Sequence, residues 1–196
     1  MPGLAQLDTL LVRQKKEWGE ILTGFEMKNK YSILDPEGAE IYLAAEESGF
    51  LGRWFLKSAR PFTMHIFTPS GQPVLNLVRP FKFIFYRIDI FDGSGTLLGS
   101  VVKRWAFFRR VFSVLNTAGN EIFRIVGPFF RPWTFLIHKE DREVGKISKQ
   151  WGGILREAFT DADQFGVQFP PGLDVQTKSI LLGAVFLIDF AYFEQH

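Results

Sequence analysis

The residues that could take part in covalent chemistry are few and widely separated. Asp161 and Asp163 form the clearest acidic pair, and paired carboxylates can act as general acid and base. Nothing near this pair supplies a nucleophile or an oxyanion site, so hydrolase chemistry is not supported. The chain has no cysteine, and its three histidines are scattered at His65, His138 and His196, which disfavours a zinc site. We therefore predict a protein that is not an enzyme.

Four short turns of similar composition divide the chain into hairpins. Each begins with Asp, Asn or Thr and ends in Gly, which is typical of a type I turn followed by a bulge: Asp35-Pro36-Glu37-Gly38, Thr68-Pro69-Ser70-Gly71, Asp92-Gly93-Ser94-Gly95 and Asn116-Thr117-Ala118-Gly119. The third turn superficially resembles a phosphate-binding loop, but its spacing is wrong for G-x-G-x-x-G and no helix follows. A fifth hairpin is expected at 139–142. With a segment near Leu10 to Lys15, these hairpins predict an antiparallel sheet of ten or more strands that closes to remove its edges.

The C-terminus departs from the alternating pattern. From Ile180 to Phe193 the sequence is helical in pattern and apolar on every face except at Asp189, so such a helix must be buried all round. The segment from Ser179 to Phe193 spans about 22 Å at 1.5 Å per residue, which is short for roughly 30 Å of bilayer hydrocarbon. We therefore predict one domain over 1–196, with strands at about 7–170 and a central helix at about 174–194.

Positive charge and aromatic rings are concentrated in the middle of the chain. The net charge is only +2 overall, but residues 79–131 contain nine basic and three acidic side chains, a local charge of +6. A basic surface with exposed rings suits an anionic bilayer, and it also suits single-stranded nucleic acid. The alternative is that the rings are core and the cations are a solvated outer face. The membrane interpretation assigns the contact to Arg79, Lys82, Phe83, Phe85, Lys103, Arg104, Trp105, Phe108, Arg109 and Arg110.

The N-terminus has no pattern of a leader or a lipid anchor. Met1 to Val12 lacks a basic region followed by a long apolar run, and no Met-Gly start offers myristoylation. The absence of cysteine excludes S-acylation. We therefore expect an intracellular protein whose membrane attachment is non-covalent.

Several runs of the chain resemble the phospholipid scramblase family: Leu22-Thr23-Gly24-Phe25-Glu26, Ala44-Ala45-Glu46-Glu47, Arg60-Pro61-Phe62, residues 144–151, residues 153–163 and Leu187-Ile188-Asp189-Phe190. The resemblance covers nearly the whole chain from Leu7 onward, and the run from Gly145 to Pro170 is the most distinctive. It implies a mainly β, tubby-like fold, a closed antiparallel barrel of about twelve strands around a hydrophobic C-terminal helix. It also implies calcium-dependent, bidirectional movement of phospholipids between membrane leaflets.

The resemblance also implies a Ca²⁺-binding segment that starts at Asp161. As an EF-hand-type loop it would use Asp161, Asp163, Phe165 and the Val167 carbonyl, with Asp174 two residues beyond the last loop position. That last position is Gly172, and Phe165 offers no side-chain oxygen. We therefore expect a dissociation constant no better than about 10⁻⁴ to 10⁻³ M. The alternative is that Asp161 begins a turn and binds nothing.

Two further features of the family bear on this chain. Relatives often carry a palmitoylated cysteine cluster after the position of Arg79-Pro80, where this chain has basic and aromatic residues, so insertion of those residues is a hypothetical replacement for lipidation. A segment like 145–154 also serves relatives as a nuclear import signal, and Lys146 and Lys149 remain here. On composition alone that segment is a strand with solvated lysines.

Three functions remain open at this point. The first is a scramblase, located at the cytoplasmic face of the plasma membrane, for which translocation would require oligomers, bilayer thinning or release of the helix. The second is a surface module that binds anionic lipids or phosphoinositides without translocation. The third is an interaction protein of cytoplasm and nucleus, with an import receptor and nucleic acid as partners. An anionic phospholipid membrane is the partner in the first two.

Overall fold

A closed barrel of twelve antiparallel strands forms the body of the molecule. The computed structural model describes residues 1, 3–15, 27–47, 61–80, 86–149 and 164–193. The strands are β1 (Thr9–Lys15), β2 (Met27–Leu34), β3 (Glu40–Glu47), β4 (Phe62–Phe67), β5 (Pro73–Arg79), β6 (Arg87–Asp92), β7 (Leu97–Arg104), β8 (Arg110–Leu115), β9 (Glu121–Gly127), β10 (Thr134–Lys139), β11 (Arg142–Ser148) and β12 (Gln164–Gln168). Each strand pairs with its sequence neighbours, and β1 pairs with β12 to close the barrel. The predicted fold class is confirmed.

All five predicted hairpin turns lie at one end of the barrel. Gly38, Gly71, Gly95 and Gly119 have positive φ, as the turn type requires. Each of these glycines donates its backbone N–H to the carbonyl of the first turn residue, at 3.1 Å for Gly38 and Asp35. The fifth turn has no glycine, and Glu140 and Asp141 take positive φ instead, as in a type I′ hairpin. We call this end the hairpin end.

Helix α1 (Val175–Tyr192) fills the barrel. It begins at the hairpin end, where Asp174 caps it by accepting a hydrogen bond from the Thr177 N–H at 2.6 Å. It is the only helix of the described residues that is long and apolar enough to cross a bilayer, and most of it is buried inside the strands. The inward residues of the strands, such as Met64, Ile66 and Phe112, complete its apolar surroundings.

The opposite end of the barrel carries the C-terminus of α1, and we call it the loop end. Two of its connections are described in full, the β7–β8 connection at 105–109 and the β9–β10 connection at 128–133. The other strand connections at this end run through residues outside the described ranges. The long connections and the tight turns are therefore segregated to opposite ends, because twelve consecutive antiparallel strands place alternate connections at alternate ends.

Two glycines let the helix lie close against β6 and β7. A β-carbon at Gly183 would lie 2.6 Å from Cγ1 of Ile90. One at Gly99 would lie 2.5 Å from both Cδ1 of Ile180 and the Leu115 carbonyl oxygen. Such distances are shorter than side-chain contacts allow, so glycine is needed at both positions for this packing.

We expect Gly183→Ala to lower the free energy of unfolding by about 1–3 kcal/mol, because the new methyl group overpacks the interior. The effect opposes helix propensity, which favours Ala over Gly by about 1 kcal/mol. Denaturant unfolding measures the difference. In an Ile90→Ala background, which makes room for the methyl group, the same substitution should be neutral or stabilising. A gain in stability in the unmodified chain would contradict the packing described here.

Candidate functional site

The loop end exposes a cluster of large aromatic side chains. The described residues contain six exposed large hydrophobic side chains, and all of them lie in the two connections at this end: Trp105, Phe107, Phe108, Phe129, Phe130 and Trp133. Phe130 is 92% exposed and Phe108 is 79% exposed. We call this set the aromatic rim. Exposed apolar surface on this scale marks a binding site for a protein, a ligand or a membrane.

Within each connection, neighbouring rings of the aromatic rim contact each other. Trp105 and Phe107 meet edge to face with centroids 4.4 Å apart, and Phe129 and Phe130 do so at 5.2 Å. The two connections also contain Arg109 and Arg131 and no acidic residue. The rim is therefore apolar at its rings and positively charged at its flanks.

Arg110 joins the two connections to each other and to the helix. Its guanidinium donates to the backbone carbonyls of Pro128, Arg131 and Pro132, all in the second connection. It also lies 4.4 Å from the ring centroid of Phe135 and 5.5 Å from that of Tyr192. A planar guanidinium suits this role because it can donate in several directions while stacking on rings.

A second group of cations lies deeper at the loop end, around the C-terminal tyrosine of α1. The Lys103 ammonium lies 4.7 Å from the ring centroid of Tyr86 and 4.6 Å from that of Tyr192, and the Arg79 guanidinium lies 4.6 Å from that of Tyr86. Burial lowers the pKa of Lys103, and the charge of Arg79 lowers it further. Burial raises the pKa of Tyr192 to about 12, so its hydroxyl stays neutral at physiological pH.

A polar anchor holds α1 near the same end. The Asp189 carboxylate accepts a hydrogen bond from the Tyr31 hydroxyl at 3.0 Å, and the Lys149 ammonium lies 3.7 Å from its other oxygen. Both charged side chains are nearly buried, at 11% and 8% exposure for Lys149 and Asp189. Cations near the C-terminus of a helix also interact favourably with its dipole.

The predicted membrane residues divide into three groups in the structure. Arg104, Trp105, Phe108 and Arg109 are exposed at the loop end. Arg79, Lys103 and Arg110 turn inward onto aromatic rings and lie beneath the exposed surface. The remaining three, Lys82, Phe83 and Phe85, lie outside the described residues.

Four rim residues were missing from the predicted contact set: Phe107, Phe129, Phe130 and Trp133. A sequence signal exists for Phe129 and Phe130, because Pro128 and Pro132 bracket residues 129–131 and a proline cannot serve an interior sheet ladder. The structure divides the aromatic residues into a buried and an exposed subset. Strand residues such as Phe112 and Phe135 are core, whereas the connection residues are exposed.

The described part of the predicted Ca²⁺ set does not come together. Phe165 is buried with its ring on Phe193, and Val167 lies in the middle of the ladder between Leu10 and Ile147. Asp174 lies at the hairpin end, where its carboxylate caps α1. Asp161 and Asp163 lie outside the described residues, so the Ca²⁺ site stays a prediction.

The two lysines of the import-like segment have different settings. Lys146 lies within β11, opposite Leu136 and Gln168. The Lys149 ammonium faces inward, 4.7 Å from the ring centroid of Phe165 and 4.6 Å from that of Phe193. Lys149 is therefore engaged in holding the helix, and its use as an import signal stays a prediction.

We expect Arg110→Lys to lower the free energy of unfolding by about 1–3 kcal/mol, because an ammonium cannot reproduce three charge-assisted bonds and two ring contacts. Amide hydrogen exchange in 128–133 should accelerate at the same time. The matched control is Arg109→Lys, an exposed neighbour, which should change stability by less than about 0.5 kcal/mol. Equal effects of the two substitutions would contradict the bracing role of Arg110.

Comparison with known proteins places the chain among relatives. It matches the model of the Scramblase family over residues 1–195. It is 41% identical to phospholipid scramblase 1 of Mus musculus, over 99% of this chain and 64% of that protein. It is 38% identical to human phospholipid scramblase 2, over 99% of this chain and 71% of that protein. For human phospholipid scramblase family member 5 the identity is 35%, over 98% and 78%.

The chain spans somewhat less than two thirds of the scramblase 1 relatives, 64% of the mouse protein and 66% of the human one. An X-ray structure of a protein from Arabidopsis thaliana superposes with a TM-score of 0.55 at 14% identity, covering 96% of each chain, which shows the fold alone. The family match over nearly the full length and the identities of 35–41% agree with each other, and the chain therefore belongs to the phospholipid scramblase family.

Proposed function

We propose that the protein moves phospholipids between membrane leaflets and that it docks on the bilayer by its loop end. The family supports the activity, since the relatives bear the name phospholipid scramblase. The observation that carries the docking is the aromatic rim, six large exposed side chains gathered at one end of an otherwise closed barrel. The protein is accordingly proposed to be membrane-associated, at an anionic leaflet such as the cytoplasmic face of the plasma membrane.

The chemistry of the rim suits the interface of a bilayer. Tryptophan and phenylalanine rings partition into the headgroup region and the adjoining acyl chains. Arg109 and Arg131 flank the rings, and each cation near an anionic surface adds about 1 kcal/mol of attraction. Apolar insertion and electrostatic attraction therefore act at the same end of the molecule.

The opposite end would be repelled by the same surface. Asp35, Glu37, Asp92, Glu140 and Asp141 occupy its turns, where they are at the tips of the hairpins. An anionic leaflet attracts the loop end and repels these carboxylates within about a Debye length. The charge distribution thus favours a barrel that stands on its loop end, with its long axis steeply inclined to the membrane plane.

A filled interior limits how lipids could move. Helix α1 and the inward strand residues pack the barrel from the hairpin end to the loop end, and the anchor at Asp189 is part of that packing. Headgroups would therefore travel along the outer surface or through bilayer thinned by the inserted rim. The same packing favours a second candidate function, a module that binds anionic lipid surfaces without translocating them.

Calcium control is a separate element of the proposal. It depends on Asp161 and Asp163, which could supply the carboxylate oxygens that Ca²⁺ prefers. Two carboxylates suit a weak site in the range of about 10⁻⁴ to 10⁻³ M. The barrel-end docking does not require the ion.

The test is translocation of a fluorescent phospholipid in vesicles that contain anionic lipid, with and without millimolar Ca²⁺. We expect Arg109→Glu to weaken vesicle binding at least ~10-fold and to lower translocation in parallel, because it replaces attraction by repulsion at the rim. The matched control is Arg142→Glu, the same charge change at the hairpin end, which should leave both unchanged. Vesicle binding of the wild-type chain without translocation would establish the second candidate function in place of the first.

The calcium arm uses the double variant Asp161→Ala, Asp163→Ala. Stimulation by Ca²⁺ that disappears in this variant supports the ion at that segment. Stimulation that persists unchanged in it would refute that assignment and leave docking untouched.

A further inference from the structure

We propose that the cleft between the two loop-end connections binds the phosphate of a membrane phospholipid, with the Lys103 ammonium as its main contact. The inference rests on the proposed function, because it names the lipid site within the docking end. The cleft has a volume of about 550 Å³. Its walls include Lys103, Arg104, Phe108, Arg109, Phe129 and Tyr192, and none of the described residues that line it is acidic.

Lys103 differs from the other inward-facing lysines of the described residues. Lys178 donates from its ammonium to the carbonyls of Leu4, Ala5 and Leu7, and Lys149 has Asp189. The Lys103 ammonium has tyrosine rings on two sides, and in the described part of the chain it has neither a hydrogen-bond acceptor nor a carboxylate partner. Half-buried cations are normally paired, since desolvation without a partner is costly.

The surroundings of Lys103 further disfavour an ammonium that has no acceptor among the described residues. Burial and the neighbouring Arg79 both disfavour its charged form, which lowers its pKa. A bound anion would supply acceptors for the ammonium and offset the repulsion from Arg79. Phosphate oxygens are suitable partners because an ammonium acts on them as a compact point charge.

Arg104 and Arg109 supply further positive charge to the cleft. Arg104 uses its Nε to donate to the Ser113 hydroxyl at 2.8 Å, which directs it along the barrel wall. Arg109 is exposed on the first connection. Arg110 is different, because its guanidinium is already committed to the carbonyls of the second connection. We therefore assign Arg110 to the wall of the cleft and Arg109 to the second contact with the phosphate.

The surroundings select a lipid over a free anion. Trp105, Phe107, Phe108 and Phe129 line the same cleft and provide apolar surface for the glycerol and the first methylene groups of the acyl chains. An inorganic phosphate gains nothing from these rings. With the aromatic rim inserted in the bilayer, the opening of the cleft would lie near the depth of the lipid phosphates.

The test measures binding of a phosphatidylserine with two six-carbon chains, kept below its micelle concentration, by calorimetry. We expect Lys103→Met to weaken binding at least ~10-fold, the loss typical of one charge-assisted contact. Lys103→Arg, which keeps the charge, should stay within ~3-fold of wild type and shows that the position tolerates substitution. Lys139→Met, the same change at the hairpin end, is the control and should have no effect.

Other probes and a parallel assay separate the possible failures. The lipid assignment would be overturned if inorganic phosphate or a single-stranded oligonucleotide bound as tightly as the lipid and if that binding were lost in Lys103→Met. Unchanged lipid binding in Lys103→Met would overturn the site. Wild-type binding to anionic vesicles is measured alongside. If the chain binds vesicles but binding of the short lipid does not depend on Lys103, the cleft assignment is wrong and the proposed function is retained. If binding of the short lipid depends on Lys103 but the chain does not bind vesicles, the cleft assignment is retained and the proposed function is wrong.

Discussion

Burial of one apolar helix inside a closed sheet is the interaction on which the rest of the structure depends. Residues Ile180 to Ile188 are almost fully inaccessible, and the inward faces of the strands form one apolar core with them. Twelve strands enclose a space that side chains alone do not fill, so the helix is the core of the barrel. Removing the helix would expose its own apolar surface and that of the strands to water, at a free-energy cost of about 25 cal/mol per Å².

The helix also defines the two ends of the molecule. At its N-terminus, Lys178 gathers the carbonyls of the first residues of the chain and closes the hairpin end. At its C-terminus, the ring of Tyr192 contacts Lys103 and Arg110, and Arg110 also binds the backbone of the second exposed connection. The aromatic rim is thus built on a rigid base, and its position follows from where the buried helix stops.

Local rules account for what the sequence predicted. The turns with Gly38, Gly71, Gly95 and Gly119, the alternation along the strands and the uniform apolar run of the helix each follow from nearby residues. The inward turn of Arg79 and Arg110 could not be predicted, because it depends on rings of distant segments. Phe108 and Phe112 show the same limit. They are four positions apart, yet Phe108 is exposed and Phe112 is core, because β8 begins between them.

The central claim is that the protein acts on lipid from its loop end while α1 stays inside the barrel. A disulfide tests it most directly, because the chain has no cysteine of its own and a β-carbon at Gly183 would lie 2.6 Å from Cγ1 of Ile90, which brings side chains at the two positions together. We predict that the Gly183→Cys, Ile90→Cys pair translocates lipid equally well oxidised and reduced. Activity that is lost on oxidation and restored by reduction would show that the helix must leave the barrel, and would contradict this account.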